Sequence, residues 1–241
     1  MSVTVADIER VGRDTWSADE QVHIEGWTVS SNGGFTRRVN SATSVGQPDV
    51  SLATRDAVRG WLAARGCPLV VRVTPLLEAS VVDEITGTWG LVAVDPTSVM
   101  IRSELEETRD DAITPIDLLD QDFREDLFSL NARPEAARDP WTRIITRMAE
   151  RAQGLWVRGT AVGVVAVDSP IGAVYSVAVR EGVRRQGWGT RIMEASASSA
   201  VRLGAHTIFL QVLAGNHPAV AMYDRLGFVE AYRYHYLVPE P

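Results

Sequence analysis

Val177-Ala178-Val179-Arg180-Glu181-Gly182-Val183-Arg184-Arg185-Gln186-Gly187-Trp188-Gly189-Thr190 reads as an apolar strand, a polar turn and the first turn of a helix. A diphosphate needs backbone N–H groups aimed at it, and glycine lets its oxygens come close because no Cβ intervenes. The helix N-terminus adds a partial positive charge, and Arg184 and Arg185 add two full ones. No Gly-Lys-Ser or Gly-Lys-Thr follows, so this is not a mononucleotide P-loop, and the spacing is not GxGxxG. The same residues also suit a solvated turn in which glycine opens a helix, so the surrounding pattern decides.

Downstream, a helix is expected from about Trp188 to Leu203, with Ile192, Met193, Ala197, Ala200 and Val201 facing inward and Gly204 as its stop. Thr207 to Leu213 reads as a strand, Pro218 to Leu226 as a short helix, and Phe228 to Val238 as a last strand with alternating Tyr232, Tyr234 and Tyr236. Upstream, strands are expected at Leu155–Arg158, Ala161–Asp168 and Val174–Val179. Helices are expected within Pro115–Leu130 and Pro140–Ala152.

Arg-x-x-Gly-x-Gly behind a strand, then a helix, a strand, Asn216-His217-Pro218-Ala219 and Met222-Tyr223-Asp224-Arg225-Leu226-Gly227-Phe228 resembles the GCN5-related N-acetyltransferase (GNAT) superfamily over about residues 113–238. The resemblance implies an α/β fold with a mixed sheet, that of acyl-CoA N-acyltransferases, and acetyl-CoA as co-substrate. Two parallel strands, Val174–Val179 and Thr207–Leu213, would splay apart, and the pantetheine arm would pair with the backbones of Val177 and Val179 as an added strand does. Arg184, Arg185, Gly187, Trp188, Gly189 and Thr190 would hold the pyrophosphate, with Asn216 also at the cofactor. A free amine would attack the thioester directly, the Val177 N–H would meet the developing negative charge, and Tyr223 would act as general acid towards the leaving thiolate. Tyr223 also fits as an amphipathic core residue, and the flanking Asn216 and Gly227-Phe228 favour the catalytic role. With tyrosine near pKa 10 and a thiol near 8.5, that proton transfer is mildly uphill unless the site lowers the tyrosine. No general base is identified; Asp168, Glu230 and His235 are candidates by position.

The N-terminal part repeats the order strand, helix, strand, helix, strand. A hairpin is expected from Ile24–Val29 and Phe35–Val45 around a turn at Ser30–Gly34, then a helix Asp56–Arg65, a strand Leu69–Val73, a helix Leu76–Ile85 and a strand pair Leu91–Val94 and Ser98–Arg102. Trp89-Gly90-Leu91 aligns with Leu226-Gly227-Phe228, a weak repeat of pattern. In that register Thr86 stands for Tyr223 and Ala79 for Asn216, and Val45-Gly46-Gln47-Pro48-Asp49 replaces the glycine loop with a proline and an acid. The expected organisation is a degenerate GNAT-like domain (1–105), an acidic linker (106–112) and a catalytic domain (113–241). Phe35-Thr36-Arg37-Arg38-Val39-Asn40 resembles motifs of tandem members of the superfamily without carrying over a role.

All 24 basic residues are arginine, which excludes a Schiff-base lysine. The net charge of −7 is concentrated in Glu104–Asp126, which holds ten acids against Arg109 and Arg124, so the remainder is nearly neutral. No basic footprint supports nucleic-acid binding, and no apolar run approaches the ~20 residues of a membrane span. The N-terminus lacks a secretory pattern, and the chain reads as cytoplasmic. Cys67, alone, forms no internal disulfide and reads as a small core residue. The expected partner is a small-molecule or peptide amine. A non-catalytic acyl-CoA sensor and a homodimer built on the aromatic last strand are the competing readings.

Overall fold

The computed structural model describes residues 3–240. It opens with α1 (Val5–Thr15), where the sequence pattern predicts no element. Thr4 and Asp7 form a reciprocal cap that satisfies donors of the first turn. β1 (Glu20–Ile24) and β2 (Trp27–Ser31) follow, joined by Glu25-Gly26 with both residues left-handed (φ 44° and 88°), as a two-residue hairpin turn demands. The expected hairpin put those two residues inside a strand. Its pairing nevertheless exists, since Thr28 and Val29 face Thr43 and Ala42 of β3 (Ala42–Thr43).

α2 (Leu52–Ala63) begins ahead of the expected Asp56 because the Ser51 hydroxyl accepts from Thr54 N and caps it there. β4 (Val71–Val73), α3 (Ala79–Trp89) and β5 (Leu91–Ser103) complete the first half; the expected strand pair is one strand, kinked at Asp95 (φ 52°). Pro115 opens no helix. It lies in the short edge strand β6 (Thr114–Ile116), where its missing N–H is tolerated. Then come α4 (Gln121–Leu130), capped by Asp120, α5 (Arg138–Met148), β7 (Ala152–Val157), β8 (Ala161–Asp168), β9 (Ile171–Val179), α6 (Trp188–Arg202), β10 (Thr207–Leu213), α7 (His217–Arg225) and β11 (Val229–Pro239). Of the expected inward stripe of α6, all but the half-buried Val201 are buried. Gly90 and Gly227 end α3 and α7 in the same left-handed conformation (φ 64° and 79°), so the repeated exit is real in the backbone.

All eleven strands form one sheet in the order β1-β2-β3-β4-β11-β5-β10-β9-β8-β7-β6. The last strand of each half is inserted beside the other half: β11 lies between β4 and β5, and β5 separates β11 from β10. β11 is flanked by β5 along its length and by β4 at His235–Leu237, and Tyr232, Tyr234 and Tyr236 are buried inside the fold. The acidic stretch is largely paired internally. Asp110 grips Arg191 of α6 at 2.5 and 2.6 Å, Glu125 takes Arg138, and Asp126 accepts from Trp156 Nε1 and Gly159 N. No helix among the described residues is long and apolar enough to cross a membrane. Cys67 is buried, as expected.

α1 packs on β8 and β9, tying the start of the chain to its second half. Beneath it Glu9 and Arg72, each 5% exposed, form a buried ion pair, and Tyr232 donates to the same carboxylate. Burial alone would raise the Glu9 carboxyl, but the Arg72 charge and the two hydrogen-bond partners outweigh it and hold it below the ordinary carboxylate value. A carboxyl depressed in the folded state stabilises above its unfolded pKa of about 4.3, and the contribution is lost as pH falls through the lower folded value. Glu9→Gln leaves Arg72 buried without a counter-charge and should cost about 3–5 kcal/mol at pH 7, read by urea unfolding. The deficit should shrink as the pH drops below about 4, and adding Arg72→Met should recover part of it at pH 7.

Candidate active site

β9 and β10 run parallel but pair only where Ile171–Ala173 meets Thr207–Phe209. Beyond that point β10 stays on β5 along its whole length, to Leu213 opposite Thr97, while β9 stays on β8 to Val179 opposite Ala161. Each strand keeps its outer partner, and the facing edges part. Arg180 N donates to Thr160 O (2.8 Å), so the strand alternation turns the Ala178 groups towards β8 and those of Val177 and Val179 into the gap. Arg184 Nε reaches one of them, Val179 O, at 3.2 Å.

The parting is marked by Ser176, a non-glycine residue at φ 54° where the β8–β9 register shifts. Such backbone costs about 1–3 kcal/mol and persists only where surroundings hold it. Asn131 Nδ2 donates to Ser176 O (3.1 Å) and to Leu127 O (2.9 Å), and Arg133 donates to Ser176 Oγ (2.8 Å). The turn after α4 therefore pins the bulge.

Gly187 is the N-cap of α6 at φ 84°, with nothing within 4 Å of where a Cβ would stand. Among the described residues, no backbone or side-chain acceptor takes the N–H groups of Arg185 to Thr190; the first amide of the helix to be engaged is that of Arg191, bonded to Gly187 O. Arg184, Arg185, Gly187 and Thr190 are exposed and Trp188 and Gly189 half-buried. A Cβ on Gly189 would meet Met222 Sδ at 3.1 Å, so this glycine lets α6 start close against α7. Trp188 lies under the Arg191 guanidinium at 4.5 Å.

Between the parted strands lies a cavity of about 400 Å³, walled by Val177, Asn216 and Tyr223 together with Ser176, Arg38 and Arg133. Asn216 caps α7, its Oδ1 accepting from Ala219 N (3.3 Å). Tyr223 is half-buried with its ring 5.9 Å from that of Phe228, and burial pushes its hydroxyl above the ordinary tyrosine value. The site therefore moves this group away from the thiol, opposite to the adjustment that would ease transfer, and keeps it a protonated donor.

The base candidates are elsewhere. Asp168 pairs with Arg10 at the far end of β8, Glu230 is held by Ser98 and Arg233, and His235, whose imidazole pKa is lowered by burial, sits on β11 opposite Val73. No Asp, Glu or His lines the cavity, and no metal-holding cluster occurs among the described residues. Arg38, Asn131, Arg133 and Ser176 were missed as site residues. Only Arg38 carried a signal, as part of the Phe35–Asn40 cluster; the others meet it through folds of the chain that spacing does not reveal.

Residues 116–228 match the family described as acetyltransferase (GNAT) family. The uncharacterized N-acetyltransferase YobR of Bacillus subtilis (strain 168) is 23% identical over 97% of this chain and 98% of its own length. A GCN5-related N-acetyltransferase structure from Kribbella flavida aligns with TM-score 0.71 and 17% identity over 100% of this chain and 97% of that one. A tandem GNAT protein from the clavulanic acid biosynthesis pathway aligns with TM-score 0.61 and 12% identity over 98% of this chain and 88% of that one. Residues 116–228, which hold the parted strands and the glycine-capped helix start, are thus a GNAT-family acetyltransferase domain, and the whole chain shares the fold of the aligned acetyltransferase structures.

Proposed function

We propose that the chain transfers an acetyl group from acetyl-CoA to a primary amine by direct attack within a ternary complex. The observation that carries this reading is the continuity of unmet main-chain donors, from the edge of β9 at Val177 and Val179 to the free amides of Arg185–Thr190. These fit a pantetheine arm followed by a diphosphate. The relatives' names point to acetyl as the acyl group. In this reading residues 113–241 carry the chemistry and residues 1–105 form the degenerate copy that walls the acceptor side, through Arg38, with 106–112 between them.

When bound, the co-substrate supplies an activated thioester. Val177 and Val179 hold the arm by backbone pairing, while the loop amides, Arg184 and Arg185 hold the diphosphate. In this reading the Val177 N–H, next to the Ser176 bulge, meets the negative charge that grows on the carbonyl oxygen. Tyr223, kept protonated by burial, donates to the departing sulfur. A thiolate leaving inside the same cavity is itself desolvated, which raises its basicity and offsets part of the raised tyrosine. An acyl-CoA sensor needs no such donor, so Tyr223 favours transfer over binding alone.

Tyr223→Phe should lower kcat about 10²-fold, measured as thiol release over an amine panel. It should leave stabilisation by CoA intact; an unchanged kcat would remove Tyr223 from the acid role. Gly187→Glu puts a carboxylate among the anion-binding amides and should abolish CoA-dependent thermal stabilisation. Gly187→Ala, which costs about 1–2 kcal/mol for its left-handed backbone, should retain it. Equal CoA responses from the two variants would contradict the assigned diphosphate site.

A further inference from the structure

The cavity between β9 and β10 contains two guanidinium groups and no acid. Arg38 enters on the loop between β2 and β3, which Asn40 shapes: its Oδ1 accepts from Asn32 N (2.7 Å) and Gly34 N (3.0 Å), and its Nδ2 donates to Phe35 O and Thr36 O (both 2.8 Å). That loop sets the Arg38 guanidinium over Trp16 (5.5 Å) and Tyr175 (5.6 Å). Arg133 arrives from the opposite side, over Phe35 at 5.1 Å, and is steadied by Ser176. The Nε of each arginine is buried and unpartnered. Glu9, the only fully buried acid among the described residues, is occupied by Arg72 and Tyr232. Burial, with Arg38 adding to it, pushes Arg133 down to about 10.

Resting on the acetyl-transfer reading above, we propose that the acceptor is a small amino-carboxylate and that Arg38 and Arg133 receive its carboxylate. Two like charges facing one cavity repel each other, and they would repel a bare alkylammonium. A carboxylate relieves both repulsions and suits the guanidinium fork, which binds it through paired N–H donors. One carboxylate against two guanidinium groups leaves a residual positive charge, which lowers the pKa of the neighbouring ammonium. That favours the neutral amine needed for attack, in a cavity where no carboxylate or imidazole stands ready to take the proton. A volume of about 400 Å³ fits a small molecule.

The test uses the full chain with acetyl-CoA and matched acceptors that differ in the carboxylate: β-alanine against propylamine, and alanine against alaninamide. The carboxylated member of each pair should be preferred by about tenfold or more in kcat/KM. Arg38→Gln and Arg133→Gln should each cut the ratio of kcat/KM between the carboxylated amine and its uncharged-tail partner about tenfold. That ratio cancels any general effect of losing the Arg133–Ser176 bond, and the Arg→Lys variants should restore part of the preference. Equal or better turnover of the carboxylate-free amines by the wild type would overturn the proposal, as would Gln variants that still respond to CoA and keep the wild-type preference for the carboxylated amine. Thermal stabilisation by each acceptor at saturating CoA gives a readout independent of turnover. If no amine is acetylated although CoA binds, the acetyl-transfer reading fails. Stabilisation of wild type by the carboxylated amines, lost in the Gln variants, would then still support the anion site, and its absence would overturn it.

Discussion

The site exists because β9 and β10 each follow an outer partner, so that their facing edges part after three residues. For all seven residues of β10, β5 supplies a continuous antiparallel partner, and β9 is likewise held by β8. The two parallel strands therefore meet for three residues and then diverge. A row of main-chain groups is left facing a gap, which in a folded core is costly unless something pairs with them. The proposed function rests on that unmet pairing, beside the Ser176 bulge that Asn131 and Arg133 pin.

The partner that draws β10 away comes from the first half of the chain. β5 enters the second half's sheet while β11 enters the first half's, so neither half completes its own sheet. The first half, which carries no glycine loop of this kind, thereby supplies a strand to the middle of the second half's sheet. It also furnishes one wall of the cavity through the loop organised by Asn40, and the Glu9–Arg72–Tyr232 cluster ties α1, β4 and β11 into one buried polar unit.

Much of the second half was legible in the sequence because its signals are local. Thr207–Leu213 is a strand at the expected bounds, α6 begins at Trp188, and the loop amides are free, since glycine spacing and helix starts are written in neighbouring residues. The first half was less legible. Glu25-Gly26 lay inside an apparent strand and no periodic pattern announced α1, while in the second half Pro115 stood in an expected helical stretch and proved to be edge strand. Least legible were the exchange of β5 and β11 and the meeting of Arg38 with Arg133. Both depend on pairings between distant segments, where local pattern has no say. The tyrosine alternation of β11 put three rings on one face of an expected strand; that the face is buried, and which strands flank it, came only from the structure.

In the proposed reading the unmet amides of the β9 edge and of Arg185–Thr190 are the binding surface for an acyl-CoA. Backbone amide NMR or residue-resolved hydrogen exchange, with CoA titrated into the intact chain, tests it most directly. The account predicts that Val177, Val179 and the amides of residues 185–190 shift and become protected together, with the β1–β2 hairpin unchanged. Binding of CoA that leaves those amides unperturbed would contradict it.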